Sequence, residues 1–324
     1  MQMMKPATLA AWLGLTLVAA TCTGAENYPA KSVRLIIPFT PGGGADTVAR
    51  LVGAKLETQW KQQVIVDNRS GAGGNLAAEL TAAAAPDGYT LFQFNVANAI
   101  AVGLYPKLGY DPLKDFTPVT RMGSSPFVMV VHPGVKAGTV QELIALAKLK
   151  SGSVTFSSGG SGSSTHLAAE LFKSMAGIDI VHVPYKGGAP ALNDVIAGQV
   201  NMMVVVPVLA LPHVKTGRLR ALAMSSTQRS ALAPELPTIA EAGVPGYESS
   251  TWYAIVAPSR TPAGLVARLN ADFRRAMDDA QIQARLLAVG IELTGSTPDQ
   301  LSKHMKSEIE KWRHVVKTSG AKAE

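Results

Sequence analysis

Three segments of this chain carry glycine and serine into the start of a helix: 40–46, 70–75 and 158–165. Glycine lets the backbone turn tightly and come close to a bound group. The first turn of a helix adds unpaired N–H groups at the positive end of the helix dipole, and together these make a receptacle for an anion. The segments hold no Lys or Arg except Arg69, just before the second glycine cluster. Recognition would therefore rest on neutral donors: backbone N–H groups and the hydroxyls of Ser161, Ser163, Ser164 and Thr165. If the first and third segments face each other across a cleft, each can hold one end of a small diacid. Taken singly, each loop also reads as an ordinary tight turn between strand and helix; three in one chain point to a site.

Other chemistries fit less well. A Walker A loop needs a lysine that Gly42-Gly-Gly-Ala-Asp46 lacks, and Ser70-Gly-Ala-Gly-Gly74 is not the dinucleotide pattern G-x-G-x-x-G. Gly159-Gly-Ser-Gly-Ser163 departs from the nucleophile elbow G-x-S-x-G at its last position. Ser161 near His166 stands as the alternative, an exported serine hydrolase, although no spacing singles out the orienting carboxylate such a pair requires. His132, His166, His182, His213, His304 and His314 form neither H-x-x-x-H nor H-E-x-x-H, so no metal is expected, and no cofactor either.

The elements that must position these loops alternate between strand and helix, which predicts an α/β fold with largely parallel sheets flanked by helices. β-Branched runs predict strands over 33–39, 64–67, 89–95, 127–131, 153–157, 180–183, 202–206, 219–224 and 251–257. Helices are predicted over 46–60 with Asp46 as N-cap, over 75–85, 139–150 and 166–176, and from Gly188 to 197. The stretch 105–120, rich in Pro, Gly and Asp, reads as irregular connection. Two apolar stripes, Leu265, Leu269, Phe273 and Met277, then Leu301, Met305, Trp312 and Val316, predict core-facing helices near the C-terminus. At about 150 residues per domain, 324 residues suggest two domains. The expected division is 26–125 with 251–324 in one and 126–250 in the other, the chain crossing near 125 and 250.

Lys5, an apolar run over 9–20 and the small residues 21–25 have the layout of a secretory signal peptide, so residues 1–25 are expected to be removed. Cys22, the single cysteine, leaves with them, and the mature chain can have no disulfide and no thiol chemistry. Lys5 leaves too, and the formal charge of +7 falls to +6. That balance hints at anionic partners. The basic residues are scattered, however, with no Lys/Arg run interleaved with aromatics, so nucleic acid is not an expected partner. The apolar run is too short to span a bilayer, and the protein is expected to be periplasmic, not membrane-integral, and monomeric.

Phe39-Thr-Pro-Gly-Gly-Gly-Ala-Asp46, Asn68-Arg-Ser-Gly-Ala-Gly-Gly74, Pro86-Asp-Gly-Tyr-Thr-Leu91, Gly160-Ser-Gly-Ser-Ser-Thr-His166, Val183-Pro-Tyr-Lys-Gly-Gly-Ala-Pro-Ala191 and Trp252-Tyr-Ala-Ile-Val-Ala-Pro258 occur in order along the chain. In this the chain resembles the Bug-type periplasmic solute receptors associated with tripartite tricarboxylate transporters, over nearly its whole length. The resemblance implies a two-domain, type II-like periplasmic binding protein that closes on a small carboxylate in the cleft: a di- or tricarboxylate, an acidic amino acid or an aromatic acid. It also implies possible partners in the transporter's membrane subunits or a sensor kinase. The ligand contacts it implies here are Phe39, Gly42, Gly43, Gly44, Ala45 and Asp46 from the first loop. Ser158, Ser161, Ser163, Ser164, Thr165 and His166 come from the third, Tyr185 and Gly187 from a further wall, and Asn95 from the end of a strand. Thr40 departs from the family's usual proline, and Val204-Val-Val206 from its usual polar residue, which would favour a more apolar ligand.

Overall fold

The computed structural model describes residues 28–322 apart from 40, 43 and 186; the expected signal peptide and Gly43 lie outside the described residues. Chain order gives β1 (Val33–Ile37), α1 (Gly44–Trp60), β2 (Val64–Asn68), α2 (Asn75–Ala82), β3 (Thr90–Asn95), α3 (Val96–Leu104) and β4 (Phe116–Pro126). A second group follows: β5 (Val128–Val131), α4 (Val140–Leu149), β6 (Thr155–Ser158), α5 (Ser164–Ala176), β7 (Val181–Pro184), α6 (Gly188–Ile196), β8 (Met202–Val205), α7 (Pro207–Lys215) and β9 (Arg220–Met224). The chain then returns through β10 (Ser250–Pro258), α8 (Ala263–Met277), α9 (Ala280–Ala288), β11 (Glu292–Leu293) and α10 (Pro298–Ser319). Among the described residues no helix is long and apolar enough to cross a membrane.

The strands form two sheets, ordered β11-β4-β10-β3-β1-β2 and β7-β6-β8-β5-β9, one in each of two α/β domains. Both sheets are mixed, where the alternation of strand and helix predicts largely parallel ones. Parallel pairing holds for β2-β1-β3 and for β7-β6-β8, the units whose crossovers are helices. The remaining pairings are antiparallel. The cause is the passage between domains: β4 leaves the first domain, β10 re-enters it, and the two lie side by side with Ser250 opposite Pro126. β4 also occupies part of the stretch read as irregular. Its Pro118 is tolerated because β11 covers β4 only at Gly123 and Ser124, leaving that edge open at 118.

The two crossings are stapled by one buried residue. The Ser225 hydroxyl accepts from the Phe127 N–H at 2.7 Å and donates to the Ser249 carbonyl, while its backbone pairs with Phe127 and Ser249 at 2.9 and 3.1 Å. Ser225→Ala leaves a buried N–H and a buried carbonyl without their partner, at a cost of about 1–3 kcal/mol. The expected result is a lower urea midpoint with an unchanged slope; an unchanged midpoint would remove the staple from the account.

Helix α10 is seated from both sides. It packs against α3 and α5, burying Leu301, Met305, Ile309, Trp312 and Val316. Within this apolar face lies Glu308, whose Oε2 accepts from the indole N–H groups of Trp252 at 2.8 Å and Trp312 at 2.9 Å. Lys311 pairs with Glu308 and reaches Glu248, just before the second crossing, at 2.9 Å. Burial pushes the Glu308 carboxyl up, but Lys311 and the two indoles outweigh it and hold the group below its ordinary value. Trp252 stacks on Phe94, and the apolar core around them continues into the second domain through Phe127, Phe156 and Phe172.

Candidate functional site

A cavity of about 540 Å³ opens between the domains. From the first domain Phe39, Gly73, Ala97, Ile100, Leu104 and Tyr105 line it. From the second come residues 159–164, Pro184 and Tyr185. Its volume falls within the range of small-molecule sites, about 300–1,000 Å³. None of the described lining residues is charged.

The second-domain wall is the loop between β6 and α5. Ser163 caps α5, its hydroxyl accepting from the His166 N–H at 3.2 Å and touching the Thr165 hydroxyl at 3.1 Å. Thr165 in turn accepts from the Gly159 N–H at 3.0 Å. These two hydroxyls are thus committed to shaping the loop. Ser161 and Ser164 make no side-chain hydrogen bond among the described residues, and both line the cavity. Gly162 has φ +75°, and a Cβ there would stand 2.6 Å from Leu104 Cδ2 across the cleft, so the position needs glycine twice over. The Tyr185 and Gly187 N–H groups donate to the Ser158 and Gly159 carbonyls at 3.1 and 3.2 Å, tying the neighbouring loop to this one. The Tyr185 hydroxyl donates to Asp194 at 2.5 Å, and that bond pushes the phenol up to about 12.

Beneath the loop, His166 and His182 stack with ring centroids 3.8 Å apart and planes at 11°. Phe156 stacks against both. His166 is buried, and its Nδ1 accepts from the Gly162 N–H at 3.0 Å while Nε2 faces Glu170 at 3.7 Å. His182 Nε2 meets the Ser158 hydroxyl at 2.6 Å. Burial, and then the neighbouring His166, push His182 down to about 4. Burial and Arg121 do the same to His304, which lies edge-on to Trp252. Both groups sit below the ordinary imidazole value of 6.5, so the unfolded chain takes up protons first as pH falls. Their stabilisation is complete above about 6.5 and is lost as pH falls toward about 4. Urea unfolding at pH 7.5 and 4.5, roughly those limits, should show the decline, and His304→Gln should flatten it; equal stability at both pH values would contradict the assignment.

On the first-domain wall, Phe39 and Gly73 belong to the two other glycine loops and α3 supplies the rest. Asn95 ends β3 and caps α3, its Oδ1 accepting from the Ala97 N–H at 2.8 Å; its Nδ2 has no partner among the described residues. Asp46 is not the N-cap of α1 but lies in its first turn, because the helix begins at Gly44. Its carboxylate accepts from the Gly42 N–H at 3.0 Å, Arg50 at 2.9 Å and Asn68 at 3.1 Å, while Asn68 also donates to the Phe39 carbonyl. Burial pushes the Asp46 carboxyl up, but these donors, Arg50 foremost, hold it below its ordinary value. Gly44 is fixed by close approach, since a Cβ would meet the Tyr253 hydroxyl at 2.6 Å.

Of the residues selected from the sequence, Phe39, Ser161, Ser163, Ser164 and Tyr185 line the cavity. Gly42, Gly44, Ala45, Asp46, Asn95, Ser158, Thr165, His166 and Gly187 are not among the lining residues; of these, Asn95, Ser158, Thr165, His166 and Gly187 bond to residues that are. Ser161 and His166 do not pair, as both ring nitrogens of His166 face other groups. The Ser158–His182 contact that does form has its serine fully buried. Sequence reasoning singled out the loop that holds Gly73 without naming that residue as a contact, and missed Ala97, Ile100, Leu104, Tyr105 and Pro184. The signal for α3 was the reciprocal cap Asn95-x-x-Asn98 at the end of a strand.

A sequence model described as the tripartite tricarboxylate transporter family receptor matches residues 48–321. The chain is 37% identical over 305 residues to Protein BugT of Bordetella pertussis (strain Tohama I), covering 94% of each. Rpa4515 of R. palustris, solved with adipate, superposes with a TM-score of 0.78 at 36% identity, covering 91% of this chain and 99% of that one. MatC (Rpa3494) from Rhodopseudomonas palustris, solved with bound malate, gives a TM-score of 0.73 at 33% identity, covering 89% and 100%. The fold is that of two-domain periplasmic binding proteins of this type.

Proposed function

Because the chain belongs to the tripartite tricarboxylate transporter receptor family, whose members are solute-binding receptors and not enzymes, we propose that it captures a small organic carboxylate in the cleft between its domains, in the periplasm, for uptake or sensing. The observation that carries this reading is the cavity wall. It presents the free hydroxyls of Ser161 and Ser164 and the N-terminal turn of α5 on one side, and the apolar Ile100 and Leu104 on the other. Such a wall suits a molecule with an anionic end and an aliphatic body, and the relatives solved with adipate and malate point to the same ligand class. The ligand touches both domains, as it must if binding is to favour the closed state. Closure is a hinge motion at the crossings near 125 and 250, which divide the chain into 26–125 with 251–324 and 126–250. The protein acts as a monomer and hands its ligand to membrane subunits of a tripartite transporter or reports it to a sensor kinase.

The test is thermal unfolding of residues 26–324 against adipate, malate, glutamate and benzoate, with calorimetry on any that stabilise. A ligand bound only by the folded protein adds about 2.7 kcal/mol at a hundredfold excess over Kd. The expected result is one-to-one binding with the acid recovered unchanged. Turnover of the acid would favour the hydrolase, and no binding by any carboxylate would overturn the receptor reading.

A further inference from the structure

We propose that His166 and His182, neither of which lines the cavity, are positioning residues that hold the ligand-gripping loop in place only as neutral imidazoles, so that carboxylate affinity falls when the pair takes up a proton. The inference rests on the cleft being the carboxylate site. Its ground is hydrogen-bond direction. A peptide N–H can only donate, so the 3.0 Å bond from Gly162 to His166 Nδ1 requires a lone pair on that nitrogen. The ring proton of the neutral form then sits on Nε2, which faces the Glu170 carboxylate at 3.7 Å. A proton added at Nδ1 puts two donors face to face and expels Gly162 from its place. Gly162 lies against Leu104 across the cleft, so the displacement moves the wall itself.

His182 belongs to the same unit. It stacks on His166 and holds the Ser158 hydroxyl, which in turn accepts from the Gly160 N–H at 3.2 Å, so the pair touches the loop at two points. Two rings 3.8 Å apart cannot both carry charge at low cost, so a proton on one opposes a proton on the other. The other charged groups at the pair are Glu170 and Lys173, both on α5. β6 contributes Phe156 and Ser158 to it, neither of which ionises at these pH values. On α10, which packs against α5, Glu308 and Lys311 are engaged with Trp252, Trp312 and Glu248. α3 carries no ionisable side chain.

The experiment compares the exported protein with H166L, H166N and an H166N/H182Q double variant, using adipate as probe by calorimetry at pH of about 7.5 and about 4, each affinity referred to the fully ionised acid. Asn Oδ1 can replace Nδ1 as acceptor without titrating near neutrality. Wild-type affinity should fall about twofold or more on acidification to about 4, where His182 is half protonated. H166L should be weaker by about tenfold at both pH values, and H166N should recover most of that loss and vary little with pH, one hydrogen bond being at stake. H166L binding as the wild type does, or an acid loss that persists in the double variant, would overturn the proposal. A measurement free of ligand decides it independently: the amide resonances of Gly160 and Gly162 should titrate together with the imidazoles in the wild type and stay fixed in the double variant. Failure of adipate and the other acids to bind the wild type refutes the reading of the cleft, whereas immobile amides in the wild type refute the proton coupling.

Discussion

Gly162→Val is expected to weaken ligand binding by at least a hundredfold while the protein stays folded. Two independent penalties meet at this residue. Its φ of +75° is one that β-branched residues essentially never adopt, costing roughly 1–2 kcal/mol or more. The new Cβ would also come within 2.6 Å of Leu104 Cδ2, so that side chain must turn away or the loop must retreat. Either shift alters the wall that Ser161 and Ser164, the free hydroxyls, face. A hundredfold loss corresponds to about 2.7 kcal/mol, and bound geometries depend steeply on such shifts. The folded state absorbs the strain because the loop is half-buried and the core beneath it is untouched. Calorimetric titration against the wild type's best acid, with circular dichroism as a check on folding, gives the answer. Affinity within threefold of the wild type would mean that this loop is not where the ligand is held.

The largest effect on stability is expected at Glu308. Alanine there strands two indole N–H groups and leaves Lys311 with Glu248 alone, on the buried face of α10. Removing one partner of a buried pair costs about 3–5 kcal/mol, or a fall in Tm of roughly 5–8 °C for a chain of this size. Glu308→Gln keeps an acceptor for the indoles and should cost clearly less than alanine. The carboxyl is held below its ordinary value, so its contribution is complete above the unfolded-state value and disappears as pH falls through the folded one. The glutamine variant should accordingly show a shallower acid limb in denaturant unfolding. If alanine and glutamine cost the same, the indole hydrogen bonds contribute nothing, and the seating of α10 is a matter of apolar packing alone.

What the sequence disclosed divides along physical lines. The loops over 40–46 and 158–165 were legible because their information is local: a glycine that must turn, a hydroxyl that caps, a helix that starts. Asp46 was read as an N-cap because its type suits one, yet the helix begins two residues earlier and its carboxylate serves the loop through Gly42 and Asn68. Helix α3 was missed because its one local signal, the cap Asn95-x-x-Asn98, stood without a supporting stripe. Its sequence, VANAIAVGL, is apolar almost all round, and no 3.6-residue stripe separates it from the strand before it. With α3 went Ile100 and Leu104, the apolar side of the cavity. The mixed pairing of the sheets follows from which strands leave and re-enter a domain, a fact of chain path that local pattern cannot express. The histidine pair is a third case. His166 sits on α5 and His182 on β7, and only the parallel pairing of β6 with β7 brings their rings together.

The absence of charge among the described residues lining the cleft has a consequence for how such a protein works in surroundings of varying salinity. Mobile ions screen a charged pair exposed to solvent, with a Debye length of about 8 Å at 0.15 M and about 3 Å at 1 M. A carboxylate held as proposed, by hydroxyls and peptide dipoles at close range, offers them little to weaken. Dissociation should therefore be nearly indifferent to added salt. Association should not be, because the formal charge of +6 expected of the mature chain sets up a long-range field that draws anions inward and is the first thing salt removes. Capture thus slows as the medium becomes more saline, while the residence time of a captured acid stays the same.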